Sequence, residues 1–296
     1  MILKIDDDSE KISAACDRLQ ETKPHLEEIL AFYKKIFLLQ AKSFETLEIK
    51  PVLISQDLLQ AKLAGNFPLI TREEFSIDFN SAEKLFGKIC RLCSDHKIKA
   101  HESMTLLLNI VEKHKLSFKD IAEKFLYKND SWLDDFTKKN NIEKSSLEFL
   151  LYNSLKPGII KCSDQIALYL DKTYGKTQYQ GYCPVCGSTP GVSLLSSENG
   201  SRSFVCSFCW HEWETHRIFC PFCNTTDSKD LSYLQIEGEK GIRGDVCDKC
   251  RKYIKTIDLR EYKHDIFLPL ELLGAIPIDI KLQEEGYNSG TDSGTD

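Results

Sequence analysis

The chain has 296 residues, 42% hydrophobic and 28% charged, with a net charge of −6, a globular composition with room for one large domain or two ordinary ones. No apolar run approaches the roughly 20 residues of a membrane span, and the opening MILKIDDDSEK lacks the basic and apolar regions of a secretory signal, so a cytoplasmic protein without a membrane span is expected. The acidic balance argues against a nucleic-acid binder, which presents a basic face.

Residues 1–178 read as an all-α domain of about seven helices. Over 24–40, Leu26, Ile29, Leu30, Tyr33, Ile36 and Phe37 form one stripe, with Pro24 where a first turn tolerates a missing N–H. Residues 66–78, with Phe67-Pro68, read as a connecting loop. Ala82, Leu85, Phe86, Ile89, Leu92 and Cys93 form a stripe over 81–94, and Leu106, Leu107, Ile110 and Val111 form one over 103–112. Ser117 suits the N-cap of a helix burying Phe118, Ile121, Ala122, Phe125 and Leu126. Ser145 and Glu148 have capping-box spacing ahead of Leu150 and Leu151. Pro157-Gly158 should break or kink that helix, and a last helix over 163–172 carries Ile166, Ala167 and Leu170.

At 174–181 Gly, Tyr, Thr and Gln replace the stripes, which marks a linker. Short β-like runs follow at 192–195, 203–205, 233–236 and 253–259. Each is too short to bury a core alone, so bound metal is expected to support them. The tail over 283–296, ending SGTDSGTD, reads as disordered. The division is thus a helical domain (1–178), a first metal-binding module (179–216), a second (217–282) and the tail.

The cysteines carry the chemistry. Four Cys-x-x-Cys pairs, Cys183/Cys186, Cys206/Cys209, Cys220/Cys223 and Cys247/Cys250, fall in the last third of the chain. Disulfides do not persist in a mesophile's cytosol, where such pairs read as metal or redox sites. Cys183-Pro-Val-Cys and Cys220-Pro-Phe-Cys open two similar halves, which Cys206/Cys209 and Cys247/Cys250 close after gaps of 19 and 23 residues. Eight thiols in four pairs supply two tetrahedral ions, either as sequential halves or with pairs alternating between ions. Tetrathiolate sites hold iron (Fe3+/Fe2+) or zinc. Gly187 suits the positive φ that closes such a turn.

Cys90 and Cys93 form a fifth pair, but on an apolar helix face, where they read as core residues like Cys16 and Cys162. His211 and His216 flank the metal region and read as residues facing solvent or supporting the ligands. Trp210 and Trp213 suit covers for a metal site or anchors for a partner. No nucleophile–base pair, phosphate loop or paired-carboxylate motif stands out, so no enzyme activity is expected. From 183 to 262 there are ten Lys/Arg against eleven Asp/Glu, which again disfavours nucleic acid.

The stretch G-Y-C-P-V-C-G-S-T-P, followed by C-S-F-C-W-H-E-W-E-T-H-R-I-F-C-P-F-C, resembles the formate dehydrogenase accessory protein family, FdhE. The positions that carry the likeness are Cys183 to Pro190, Cys206, Cys209, Trp213, Arg217, Cys220 and Cys223. The fourth pair, with Tyr253, Lys255 and Asp258 behind it, fits as well. The likeness extends more loosely to Pro68-Leu69-Ile70 and Leu155-Lys-Pro157. Asn224 stands in the place of a glycine after the third pair, and Asn also tolerates positive φ. The resemblance implies a helical N-terminal domain, two rubredoxin-like modules associated with iron, and a cytoplasmic maturation factor that binds the catalytic subunit of formate dehydrogenase. A homodimer is among the assemblies this reading allows. The alternative is a rubredoxin-like redox sensor or electron-transfer protein.

Overall fold

Apolar residues at three- and four-residue spacing give the N-terminal helices one buried face each. The computed structural model describes residues 2–5, 9–95, 101–112, 117–173 and 180–291. Among these, eight α-helices precede the sheet: α1 (Ser9–Thr22), α2 (Glu27–Glu45), α3 (Gln56–Ala64), α4 (Phe79–Asp95), α5 (His101–Glu112), α6 (Phe118–Leu126), α7 (Asp130–Asn140) and α8 (Lys144–Thr173). The stripes expected for α4 and α6 are buried, Leu92 only partly. In α5, Leu107 and Val111 are buried but Leu106 is exposed, because only one face of that helix meets α4 and α8.

Two expectations about α8 need correction. The helix starts at Lys144, so Ser145 lies inside its first turn and makes no capping box; instead the Ser146 hydroxyl donates to Glu143 Oε2 at 2.9 Å. Nor does Pro157 end the helix, which runs 30 residues through it. Proline removes the N–H that would reach the carbonyl of Asn153. The buried Gln40 of α2 replaces it, its Nε2 donating to Asn153 O at 2.9 Å. The expected break at 157 and the separate helix over 163–172 are therefore one element.

Strand β1 (Ile2–Leu3) lies beside the C-terminal part of the chain. Then come β2 (Pro190–Leu195), β3 (Arg202–Cys206), β4 (Glu212–Thr215), β5 (Leu231–Leu234), β6 (Ile242–Cys247), β7 (Lys252–Asp258), β8 (Ile266–Phe267) and β9 (Asn288–Ser289), with helices α9 (Leu268–Gly274) and α10 (Ile276–Glu284) between the last two. The main sheet has the order β4-β3-β2-β7-β6-β5, and β9 adds to β7. Within each half the strands are antiparallel, apart from the short parallel pair β7–β9; the halves join through the parallel pair β2–β7, with Ser193 opposite Thr256. One sheet thus runs through both cysteine-bearing halves.

A buried charge network crosses that junction. Arg202 of β3, 5% exposed, pairs with Asp245 of β6 at 3.0 Å and donates to Ser193 Oγ and to the Phe219 carbonyl. Asp245 also accepts from Arg243 and Thr256.

The expected linker falls largely on 174–179, outside the described residues. The tail expected to be disordered from 283 is built into the fold as far as 291. Helix α10 reaches Glu284, Tyr287 is buried, and β9 pairs with β7 at Lys252 and Tyr253. The end of β7 that β2 leaves unpaired takes up a segment whose composition alone reads as loose. Residues 292–296 lie outside the described residues. No described helix is long and apolar enough to cross a membrane.

Three apolar clusters hold the molecule together. The largest joins the helices to the first half of the sheet, including Cys183, Cys186, Cys206 and Cys209. A second lies between the sheet and α10, and a third packs α1 and α2 against Phe267 and Leu270. Cys90, Cys93 and Cys162 are buried in the first and Cys16 in the third, as core residues; burial pushes the Cys93 thiol up to about 12.

Candidate metal centres

Each Cys-x-x-Cys pair sits in a tight turn closed by the backbone. Cys183, Cys220 and Cys247 carbonyls accept from the N–H groups of Gly187, Asn224 and Arg251 at 2.8–2.9 Å. The Cys183, Cys206 and Cys220 N–H groups donate to the carbonyls of Ser188, His211 and Thr225, each at 2.9 Å. The residue after each second cysteine is left-handed: Gly187 at φ 76°, Trp210 at 62°, Asn224 at 59° and Arg251 at 56°. Gly187 and Asn224 fit that need from sequence. Trp210 and Arg251 do not, and only the alignment of the four turns on one another would have exposed them.

The β2–β3 hairpin and the strands around β6 bring these turns together two by two. The sulfurs gather as Cys183, Cys186, Cys206 and Cys209, and as Cys220, Cys223, Cys247 and Cys250, each group within 4.8 Å. Between the two pairs of each group, Cys183–Cys209 is 3.6 Å, Cys186–Cys206 3.5 Å, Cys220–Cys250 3.7 Å and Cys223–Cys247 3.6 Å. A tetrahedron with metal–sulfur bonds of 2.3 Å has edges of about 3.8 Å, so both groups fit a tetrathiolate ion. The grouping is the sequential one, not the alternating one. Among the described residues neither group includes a histidine.

The electrostatics of the thiols set what a cation would have to supply. Burial raises Cys183 and Cys209, while hydrogen bonds from Cys183, Cys206 and Cys209 pull Cys186 far down. One thiolate held by its neighbours is what a dry pocket tolerates; four require a metal's positive charge. In the second group, burial raises Cys220 and Cys250.

The two centres differ in their surroundings. The first is covered by the helical part: Leu69 and Ile70 N–H groups donate to the Pro184 and Val185 carbonyls at 3.0 Å. Arg72 donates to Ser188 Oγ and stacks over Phe208, and Phe75 meets Phe208 edge-on. All four of its cysteines are buried, whereas Cys223 and Cys250 are partly exposed. Trp213 packs into the first centre's cluster, its Nε1 donating to the Gln180 carbonyl at 3.0 Å. Trp210 turns instead toward α8. His211 is partly buried beside Trp210, and His216 is exposed against Phe219. Arg217 donates to the Gly200 carbonyl. Tyr253 and Lys255 both hold Asp279 of α10, at 2.9 and 2.7 Å, and Asp258 caps the turn at Leu259–Glu261.

Residues 182–217, which span the first centre, match the family model for the FdhE central domain. The FdhE homolog of Aquifex aeolicus is 28% identical over 275 residues, 91% of this chain and 88% of that protein. Over most of its length the chain is similar to FdhE proteins. The FdhE homolog of Pectobacterium carotovorum is 32% identical over a shorter stretch, 38% of this chain and 36% of that protein. The crystal structure of the FdhE protein from Pseudomonas aeruginosa shares the fold, with a TM-score of 0.69 over 98% of this chain and 97% of that one at 17% identity.

Proposed function

We propose that the chain is a non-enzymatic accessory factor that binds the catalytic subunit of formate dehydrogenase during assembly in the cytoplasm. One observation carries the reading: the stretch that matches the FdhE central domain is the stretch that builds the first sulfur centre. Cys183, Cys186, Cys206 and Cys209 hold one ion, and Cys220, Cys223, Cys247 and Cys250 a second, each iron or zinc. Either ion cross-links strands too short to stand alone, and iron adds a one-electron couple. The helical domain over 1–178 and the metal modules over 179–216 and 217–282 together offer the client surface. Deleting the gene in a host that makes formate dehydrogenase should abolish that activity and leave the enzyme subunit synthesised; intact activity would end the proposal.

A second reading, a redox sensor or electron carrier, is favoured by the partial exposure of Cys223 and Cys250, which brings one centre near the surface. It requires bound iron that cycles reversibly, and a protein holding only zinc when isolated without oxygen contradicts it.

A further inference from the structure

A cavity of about 520 Å³ lies outside both sulfur groups, between α8, the first half of the sheet and the segments around residues 2–5 and 267–269. That is the size of a small-molecule site. Its inner walls include the buried Ile5, Leu194, Val205 and Leu268, and its rim the exposed Lys4, Asp164 and Glu212.

Lys156 enters this cavity from α8 and is only 5% exposed. Its ammonium lies 3.9 Å from the centre of the Trp210 ring and 5.6 Å from that of Phe37. Among the described residues no carboxylate or carbonyl pairs with it. Ring faces offset part of the desolvation of a buried cation, but buried charges are ordinarily paired. Burial accordingly lowers Lys156 to about 7.

The ring against Lys156 is fixed from two sides. Trp210 follows the second cysteine of its turn in the left-handed conformation, at φ 62°, as Gly187, Asn224 and Arg251 do in theirs. Its Nε1 donates to the Tyr152 hydroxyl at 2.9 Å, and that hydroxyl donates to the carbonyls of Ser207 and Phe208 at 3.1 and 3.0 Å. Tyr152 and Lys156 stand one turn apart on α8. The indole is thus fixed as a wall beside the cation.

We propose that this cavity binds a small apolar carboxylate, its carboxylate against Lys156 Nζ and its apolar body against Trp210, Ile5, Leu194 and Val205. One unpaired ammonium inside suits one carboxylate, and at the rim the acids Asp164 and Glu212 outnumber Lys4, which disfavours a second. The apolar walls disfavour a peptide, whose backbone polar groups would enter unpaired.

The test titrates the full-length, metal-loaded protein with decanoate below its micelle-forming concentration, followed by calorimetry and tryptophan fluorescence. Decanol and decyltrimethylammonium serve as controls of equal chain length. Decanoate should bind saturably, one per chain, about tenfold or more tightly than decanol, and the cation should not bind. Lys156→Met should weaken decanoate about tenfold and leave decanol unchanged, while Lys156→Arg keeps the preference. No saturable decanoate binding, equal binding of decanoate and decanol, or unchanged affinity in a folded Lys156→Met protein each overturns the proposal. The comparison of ligands on the wild-type chain decides the matter even if the variant does not fold.

Discussion

The side-chain amide of Gln40 on α2 donates to the carbonyl oxygen of Asn153 on α8 at 2.9 Å, the acceptor that Pro157 leaves without its helical partner. Gln40 also reaches Asn153 Oδ1 at 3.1 Å, and it is fully buried. A side chain 113 positions away in sequence therefore keeps one long helix continuous where a proline would otherwise leave a buried acceptor orphaned.

Gln40→Leu should cost about 1–3 kcal/mol, the penalty of an unmet buried acceptor. Pro157→Ala returns an N–H to that carbonyl, so Gln40→Leu should cost about 1 kcal/mol less in its presence. Denaturant unfolding of the four proteins in this cycle measures the difference. Strict additivity would show that the amide does not serve the proline's orphan.

The junction of the two sheet halves rests on a buried ion pair. Removing one partner of such a pair typically costs about 3–5 kcal/mol. Arg243 remains beside Asp245 when Arg202 is lost, so Arg202→Ala should sit near about 3 kcal/mol. Unfolding at fixed metal loading checks this, and a loss below about 1 kcal/mol would place the network among surface ion pairs.

The two centres should release metal at different rates. Cys223 and Cys250 are partly exposed, while all four sulfurs of the first centre are buried beneath the segment containing Leu69, Ile70 and Arg72. A chelator should therefore draw the two ions off in separate phases, and Cys223→Ser should remove the fast one. A single phase would show the centres to be equally accessible.

Glu271 of α9 gives a pH dependence with a definite sign. Burial raises its carboxyl to about 7, against which the Tyr262 hydroxyl donates a hydrogen bond. Unfolded, a glutamate titrates near 4.3, so the folded chain holds the proton more tightly. The stability this lends is complete below about pH 4.3 and falls by about 4 kcal/mol as pH rises through about 7. Glu271→Gln should flatten stability over that window, and an unchanged slope would assign it to other groups.

Much of this architecture is legible in the chain. The stripes of α4 and α6 and the eight cysteines are local patterns, and each falls where its spacing places it. Polar α7 is not legible, because it buries only Leu133 and Thr137. The continuity of α8 depends on Gln40, and the ordered tail on the end of β7 that β2 leaves unpaired; both are long-range facts that no local window contains. The same holds for the site: Cys-x-x-Cys spacing announces the ligands, but the grouping of turns comes from strand pairing. Trp210 reads from sequence as a cover or an anchor, and only the fold sets it on Lys156.

The most direct test of the account is metal content by mass spectrometry on protein purified without oxygen, compared with Cys183→Ser/Cys186→Ser and Cys220→Ser/Cys223→Ser variants. The account predicts two ions per wild-type chain, iron or zinc, and one ion in each variant, the remaining one coordinated by four sulfurs. Fewer than two ions in the wild type, or loss of both when either group is changed, would contradict it.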